Sequence, residues 1–497
     1  MSRLLLPTSV AIGLLLSLQL HLAVAAGAES LMDIYRDARS NDPQLNAARA
    51  ARDAGKEVWP QALAAVFPQA SGRLSWQRNK QDVSESVGFS PPRVSRFSSN
   101  SISVSLSQVL FDWSAFNNLR VAHRQAALAE LDLRIAEQAL IQRVAGAYFD
   151  VLAAQDANRF AGAERRAIER QMEQAQRRFE LGAAAIVDVH ETRARADLAR
   201  ASEIEAGFRL RSAGRSLQAI IGRAHQALMA PPLDVALADP DPADAQQWAD
   251  TARQNNLSLL KARATAEAAE RQIARQTGGH VPSLSLVGNY RDSDTTDDEF
   301  VGNLTRDSSI GLQLDVPLSE GGAVLSRVRE AEARWLQRSA ELEAQRRTTR
   351  QDSLDAYDAA LASKARVEAL RQALISNETA LKTVEAGFRL GARSGVDVLD
   401  AQQLYYRAQS DLSRALYDYY LQILRLKGST GQLGAEDLQE ISLLLQAPPS
   451  DTSAVRQDSP ENPAVAPAAP ASAPVPRDDA PAAADLPPAS PDAAPAP

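Results

Sequence analysis

Cysteine is absent from all 497 residues. Its absence excludes disulfides, thiolate catalysis, Cys-ligated zinc, iron–sulfur clusters and a lipid anchor on an N-terminal cysteine. Aromatic residues are scarce at 5%, while alanine is abundant, which favours long thin helices over a thick globular core. The five histidines (His21, His123, His190, His225 and His280) are scattered and show no metal-ligand spacing. Phosphate-cradling loops and serine-nucleophile motifs are lacking as well. No catalytic residue, metal or cofactor is therefore expected, and the chain does not read as an enzyme. Net charge is −8, so nucleic acid is not an expected partner. Beyond the first segment no apolar run approaches ~18 residues, so no later transmembrane helix is expected.

The first segment reads as an export signal. Arg3 is followed by an apolar stretch from Leu4 through Leu20 and then by small residues from Ala23 to Ala28. Ala26-Gly27-Ala28 fits an A-x-A cleavage site, giving a signal peptide over residues 1–28 and a mature start at Glu29. Ala23-Val24-Ala25 is a competing site.

Proline is missing where it would matter most. None occurs between Pro92 and Pro231 or between Pro317 and Pro448, and 14 of the 26 prolines fall in Pro448–Pro497. The two gaps hold unbroken helical patterns, Ser114–Leu181 and Ala323–Leu390. Each would be about 100 Å long as one helix at ~1.5 Å per residue. Val367, Leu370, Leu374, Asn377, Leu381, Val384 and Phe388 step 3-4-3-4-3-4, a heptad seam with Asn377 as a polar interruption that either sets register or sits at the seam's edge. The Pro/Ala-rich end, residues 447–497, cannot bury apolar area and reads as a disordered acidic tail. It carries seven acidic residues against two arginines, −5 of the −8, so the remainder is nearly balanced.

The chain is a duplication. Arg178-Phe179-Glu180-Leu181-Gly182…Val187-Asp188-Val189 matches Gly387-Phe388-Arg389-Leu390-Gly391…Val396-Asp397-Val398 at an offset of 209, which Tyr148 and Tyr357 share. The first repeat is placed at 29–230, with a strand pair near 70–110 and a long helical hairpin at 114–222. A linker occupies 231–243. The second repeat is placed at 244–446, with a strand pair near 282–317 and a hairpin at 322–428. The strands alternate: Ile102, Val104 and Leu106 between serines, and Ile310, Leu312, Leu314 and Val316 between polar residues and Gly311.

Four amphipathic strands of ~10 residues suit a membrane barrel in length and alternation. Four cannot close one, because the smallest have about eight. An open edge in lipid leaves backbone groups unpaired at several kcal/mol each. Either the strands are soluble hairpins or several chains share a barrel, and three chains would bring 12 strands to it. Trp76, Phe111, Trp113 and Tyr290 near strand ends suit interface anchors or core filling. The acidic run Asp292, Asp294, Asp297, Asp298 and Glu299 reads as a solvated loop, matched by Ser84–Asn100 in the first half.

From Glu29 to Leu445 the sequence resembles the TolC family of outer-membrane channel-tunnel proteins. The marks are the start Glu29-Ser30-Leu31-Met32, the break Asn41-Asp42-Pro43, and above all Gly387-Phe388-Arg389-Leu390-Gly391-Ala392-Arg393-Ser394-Gly395-Val396-Asp397-Val398-Leu399-Asp400-Ala401. The resemblance implies a mainly α protein with membrane β: a homotrimer whose 12-stranded outer-membrane β-barrel continues as a 12-helix periplasmic α-barrel. It implies outer-membrane lipid, a periplasmic adaptor and an inner-membrane ABC or proton-driven pump as partners. The implied task is an exit duct for type I protein secretion or general efflux. Drug or metal efflux with a proton-driven pump is the alternative, and a soluble periplasmic coiled-coil scaffold a more distant one.

The resemblance also assigns residues. Gly182 and Gly391 end the long helices and would meet the adaptor. Asp397 and Asp400 share a helical face and would line the closed pore as stacked carboxylate rings, with Asp188 and Glu191 their counterparts in the first repeat. The simpler role for Asp397 is to favour its own helix N-terminus. Arg393 and Phe388 correspond to an entrance latch, which at 388 lacks the hydroxyl of the tyrosine often found there.

Overall fold

The structure, a computed structural model, describes residues 28–83, 93–297 and 303–446. The expected signal peptide, apart from Ala28, and the expected tail at 447–497 lie outside the described residues. So do 84–92, with Pro91-Pro92, and 298–302, with Asp298 and Glu299.

Three short helices, α1 (Leu31–Asn41), α2 (Pro43–Lys56) and α3 (Val58–Ala64), lead into strands β1 (Gln69–Val83) and β2 (Arg93–Phe111). Two long helices follow, α4 (Trp113–Glu180) and α5 (Ile186–Ile221). After an extended linker the order repeats as α6 (Ala245–Asn255), α7 (Leu257–Thr277), β3 (Ser283–Asp297), β4 (Asn303–Asp315), α8 (Ala323–Arg389) and α9 (Gly395–Ser429), closed by α10 (Ala435–Leu444). At 68 and 67 residues, α4 and α8 run about 100 Å each at ~1.5 Å per residue.

Side-chain caps mark the helix starts. The Asp42 carboxylate accepts from Leu45 N at 2.7 Å with Pro43 at the first helical position, and Asn256 accepts from Leu259 N at 2.9 Å at the equivalent place in the second repeat. Ser30 and Asp33 form a reciprocal box at the start of α1.

The sheet is antiparallel in the order β1-β2-β3-β4, so β2 and β3 join the two repeats. The helices adjoining the strands pack in the same order, α3 on α4, α4 on α7 and α7 on α8. Strands of 13 to 19 residues exceed the ten expected. The excess is polar: Arg78, Asn79, Lys80, Gln81 and Asp82 extend β1, and Asp292, Asp294 and Asp297 lie on β3 rather than in a loop. Residues 93–100, also expected in a loop, pair within β2. β4 stops at Asp315, two residues before Pro317, while β2 runs to Phe111, the counterpart of Leu318; proline has no N–H to continue the ladder.

One face of the sheet is apolar and exposed, carrying Leu74, Trp76, Ile102, Val104, Leu106, Ile310, Leu312 and Leu314. The other face carries serine hydroxyl pairs, Ser71–Ser105 and Ser75–Ser101, each at 2.7 Å. The apolar band runs obliquely. The register row of Leu74 and Ile102 continues to Asp292 and Arg306, which form an ion pair at 3.1 Å. The apolar residues of β4 lie in lower rows, level with Leu284 and Leu286. An oblique band is what strands tilted in a membrane present.

The main core lies where α4 and α9 meet α1 and α10. Phe149 stacks with Tyr417 and Tyr420 at ring separations of 5.7 and 5.8 Å, and the Tyr148 hydroxyl donates to the carbonyls of Met229 (2.6 Å) and Glu29 (3.1 Å). Tyr357, the repeat counterpart of Tyr148, packs instead with Trp248 and Leu426. The linker is held by Arg371, which donates to the carbonyls of Leu233 and Val235, and by the Tyr419 hydroxyl on Ala238 O at 2.5 Å. Asn377 donates one amide N–H to Ala373 O at 2.8 Å within its own helix, a local bond rather than a cross-helix one.

Candidate functional site at the helix turns

Both long helices end in the same turn. Leu181 N–H donates to Arg177 O, Gly182 N–H to Phe179 O at 2.9 Å and Ala183 N–H to Arg178 O at 2.7 Å. In the second repeat Gly391 donates to Phe388 O at 3.0 Å and Ala392 to Gly387 O at 2.9 Å. This pair of bonds needs a left-handed residue, and Gly182 and Gly391 supply it at φ +74° and +77°. Leu181 and Leu390 beside them are 83% and 85% exposed, so each turn presents a bare leucine.

The turns then diverge. Ser394 opens α9 with a capping box: the Asp397 carboxylate accepts from Ser394 N–H at 2.9 Å, and Asp397 N–H donates to the Ser394 hydroxyl at 3.1 Å. The Ser394 backbone N–H and hydroxyl hold the Asp397 carboxyl below its ordinary range, helped by the Arg393 charge. Asp397 thus serves its own helix start. Its counterpart Asp188 follows Ala185, which has no hydroxyl and makes no side-chain cap, and the Asp188 side chain is exposed.

Two groupings emerge from the eight residues singled out by sequence. Asp188, Phe388 and Arg393 line one small cavity of about 130 Å³ between the turns, together with Gln171, Arg178 and Thr192. The Arg178 guanidinium lies over the Phe388 ring, 5.1 Å from its centroid. Arg393 packs its stem toward Gly387, where an added Cβ would sit 2.9 Å from Arg393 Cγ, and it makes no ion pair among the described residues. The second grouping joins Asp400 and Glu191 through Arg195. Arg195 Nη1 lies 2.5 Å from Asp400 Oδ1, and Nη2 lies 4.0 Å from Glu191 Oε1.

Arg178 and Arg195 were not singled out from sequence. The spacing of Glu191 and Arg195 by four was a visible sign. The pairing with Asp400, 205 residues away, was not. Among the described residues no group of three or more His, Asp or Glu side chains could hold a metal. The site offers charge and exposed apolar turns.

The outer membrane efflux protein family matches residues 34–223 and 248–432, one block in each repeat. The chain is 36% identical to outer membrane protein TolC of Vibrio cholerae over 425 residues, 85% of this chain and 95% of that protein. It is 30% identical to the alkaline protease secretion protein AprF of Pseudomonas aeruginosa, covering 89% of this chain and 92% of that one. Among solved structures, the Campylobacter jejuni CmeC outer membrane channel superposes with a TM-score of 0.71 at 16% identity, over 84% of this chain and 90% of the channel. VceC of Vibrio cholerae superposes with a TM-score of 0.67 at 18% identity, over 81% and 96%. With both halves matched and near-complete coverage of its relatives, the chain belongs to the outer membrane efflux protein family.

Proposed function

We propose that three copies of this outer-membrane chain build the exit duct of a tripartite export machine, passing cargo from an inner-membrane pump and a periplasmic adaptor to the exterior. One observation carries the reading: a four-stranded sheet with one bare apolar face and two unpaired edges, β1 and β4, continuous with helices of about 100 Å. Unpaired edges are costly in lipid, and pairing β4 of one copy with β1 of the next removes all of them at once. Three copies give a 12-stranded barrel above a 12-helix tunnel.

In this reading residues 29–230 and 244–446 are the two repeats, joined by the linker at 231–243. Gly182 and Gly391 shape the turns that meet the adaptor, with Leu181 and Leu390 as apolar contacts. Asp397 and Asp400 form the pore constriction, flanked by Asp188 and Glu191, and Arg393 and Phe388 belong to the entrance latch. Type I protein secretion is the favoured route, because AprF of Pseudomonas aeruginosa and PrtF of Dickeya chrysanthemi, similar over most of their lengths, are named for protease secretion. Efflux is the second reading, favoured by similarity to the Brucella suis outer membrane efflux protein BepC.

Purified protein incorporated into planar bilayers tests the duct. A heat-modifiable trimer with stable single-channel conductance is expected, and a non-conducting monomer would sink the proposal. Deleting the gene and assaying secreted protease against drug sensitivity separates the two routes.

A further inference from the structure

We infer that Arg195 is an ionic tie between the two helical hairpins at the entrance and sets how strongly the constriction binds cations. The inference rests on the duct reading for its second half and on geometry alone for its first.

α5 packs along α4, and α9 along α8, so each hairpin is held chiefly within its own repeat. Near the turns the hairpins meet through a small apolar cluster of Ile168, Ala196, Ala199 and Leu399, and an ionic contact adds to it. The Arg195 guanidinium bridges from α5 to Asp400 on α9 at 2.5 Å and keeps Glu191 of its own helix within 4.0 Å. A guanidinium is planar, permanently charged and able to serve two carboxylates at once. Arg195 is more buried than its partner, with 28% of its side chain exposed against 54% for Asp400, so the cation sits under the acid that would face the pore.

The duplication makes this link one-way. Asp400 and Glu191 are counterparts at the offset of 209, so both repeats carry the acid. The counterpart of Arg195 is Leu404, which is exposed and has no charge to return. At this position only the first repeat supplies a cation, and it pairs with an acid of the second. The contact of Arg178 with Phe388 runs the same way, from α4 to α8. With Asp397 occupied by Ser394 N–H and Asp400 by Arg195, a ring of these acids starts with its charge half satisfied. An arriving multivalent cation must compete with a tethered guanidinium for Asp400. Removing the guanidinium loosens the entrance and strengthens cation binding together, whereas removing Asp400 loosens it and weakens that binding.

The test compares Arg195→Gln, Arg195→Lys, Asp400→Asn and the double variant Arg195→Gln/Asp400→Asn, each first shown to assemble as the wild-type trimer does. In planar bilayers with hexamminecobalt as the blocker, Arg195→Gln is expected to lower the half-blocking concentration about tenfold, three exposed ion pairs acting together. Arg195→Lys is expected to stay near wild type, and Arg195→Gln to have little effect in the Asp400→Asn background. An unchanged half-block in Arg195→Gln, or an equal shift without Asp400, overturns the cation-binding half. Spin labels at Leu198→Cys on α5 and Gln403→Cys on α9, in a chain with no native cysteine, read the tie without conduction. Their distance distribution is expected to broaden and lengthen in Arg195→Gln. An unchanged distribution overturns the tie, and a wild-type protein that does not conduct overturns the duct reading while leaving the distance readable.

Discussion

The Arg178 guanidinium stands over the ring of Phe388, 5.1 Å from its centroid, and so joins the last turn of α4 to the last turn of α8. The face of an aromatic ring is its negative side, and such contacts contribute about 0.5–1 kcal/mol at exposed sites. A ring without a hydroxyl therefore still links the hairpins. Phe388→Leu should raise closed-state conductance about two- to fivefold, the same range in equilibrium terms. Phe388→Tyr should leave it near wild type. Equal conductance for the leucine and wild-type proteins in planar bilayers would show the contact to be idle.

Gly182 and Gly391 have open space where a Cβ would stand, so only the backbone opposes substitution there. Alanine in the left-handed region costs about 1–2 kcal/mol. Gly391→Ala should lower the temperature at which the trimer dissociates on a gel, and Gly391→Asn should lower it less, because asparagine tolerates this conformation. Identical shifts for the two variants would point to a steric cause instead.

The Asp397 carboxyl is held below its ordinary range by the Ser394 backbone N–H and hydroxyl, with Arg393 adding to the effect. A lowered folded value favours the ionised form. Its contribution is complete above the usual carboxylate range and disappears as pH falls through the lowered value. The share of cation block that Asp397 carries should therefore persist at pH 5 and be lost only below the usual carboxylate range. Ser394→Ala should move that loss to higher pH. Asp397→Ala with Asp400→Ala should weaken block by di- and trivalent cations more than it changes conductance. Unchanged block in that double variant would reject the acidic ring.

Glu164 lies in a groove between α4, α5 and α9, near Phe160 and Tyr406, where burial pushes its carboxyl up. A raised folded value means that ionisation opposes folding above it and that the opposition ends below the unfolded value. Glu164→Gln should stabilise the protein at pH 7 and make no difference below about pH 4. Thermal unfolding at the two pH values checks this, and a destabilised variant at pH 7 would show that the carboxylate has a partner.

The TolC-like fold class was legible because it rests on local patterns. A stretch without proline, rich in alanine, continues as helix until a glycine adopts the left-handed turn, as at Gly182 and Gly391. The strands were legible as alternation, but their ends were not. Arg78, Asn79, Lys80, Gln81 and Asp82 resemble a loop in composition and become strand only because Val94–Ser98 lie opposite them. Asn377 could be read from sequence as a register device or as an edge residue, and its bond to Ala373 O, within its own helix, became visible only in the structure. At the turns, Gly182, Gly391, Asp188, Glu191, Asp397 and Asp400 could be singled out, and their individual bonding could not.

What the sequence alone determined is where the long helices and their turns stand, the duplication, and the two-faced character of the strands. Those follow from the sterics and hydrophobic period of near neighbours. What the tertiary structure decided is which charges remain available. Asp397 is committed to Ser394, three residues away, and Asp400 to Arg195, 205 residues away. A contact of that separation leaves no period or spacing in the chain, because it exists only once two independently formed hairpins have been brought side by side.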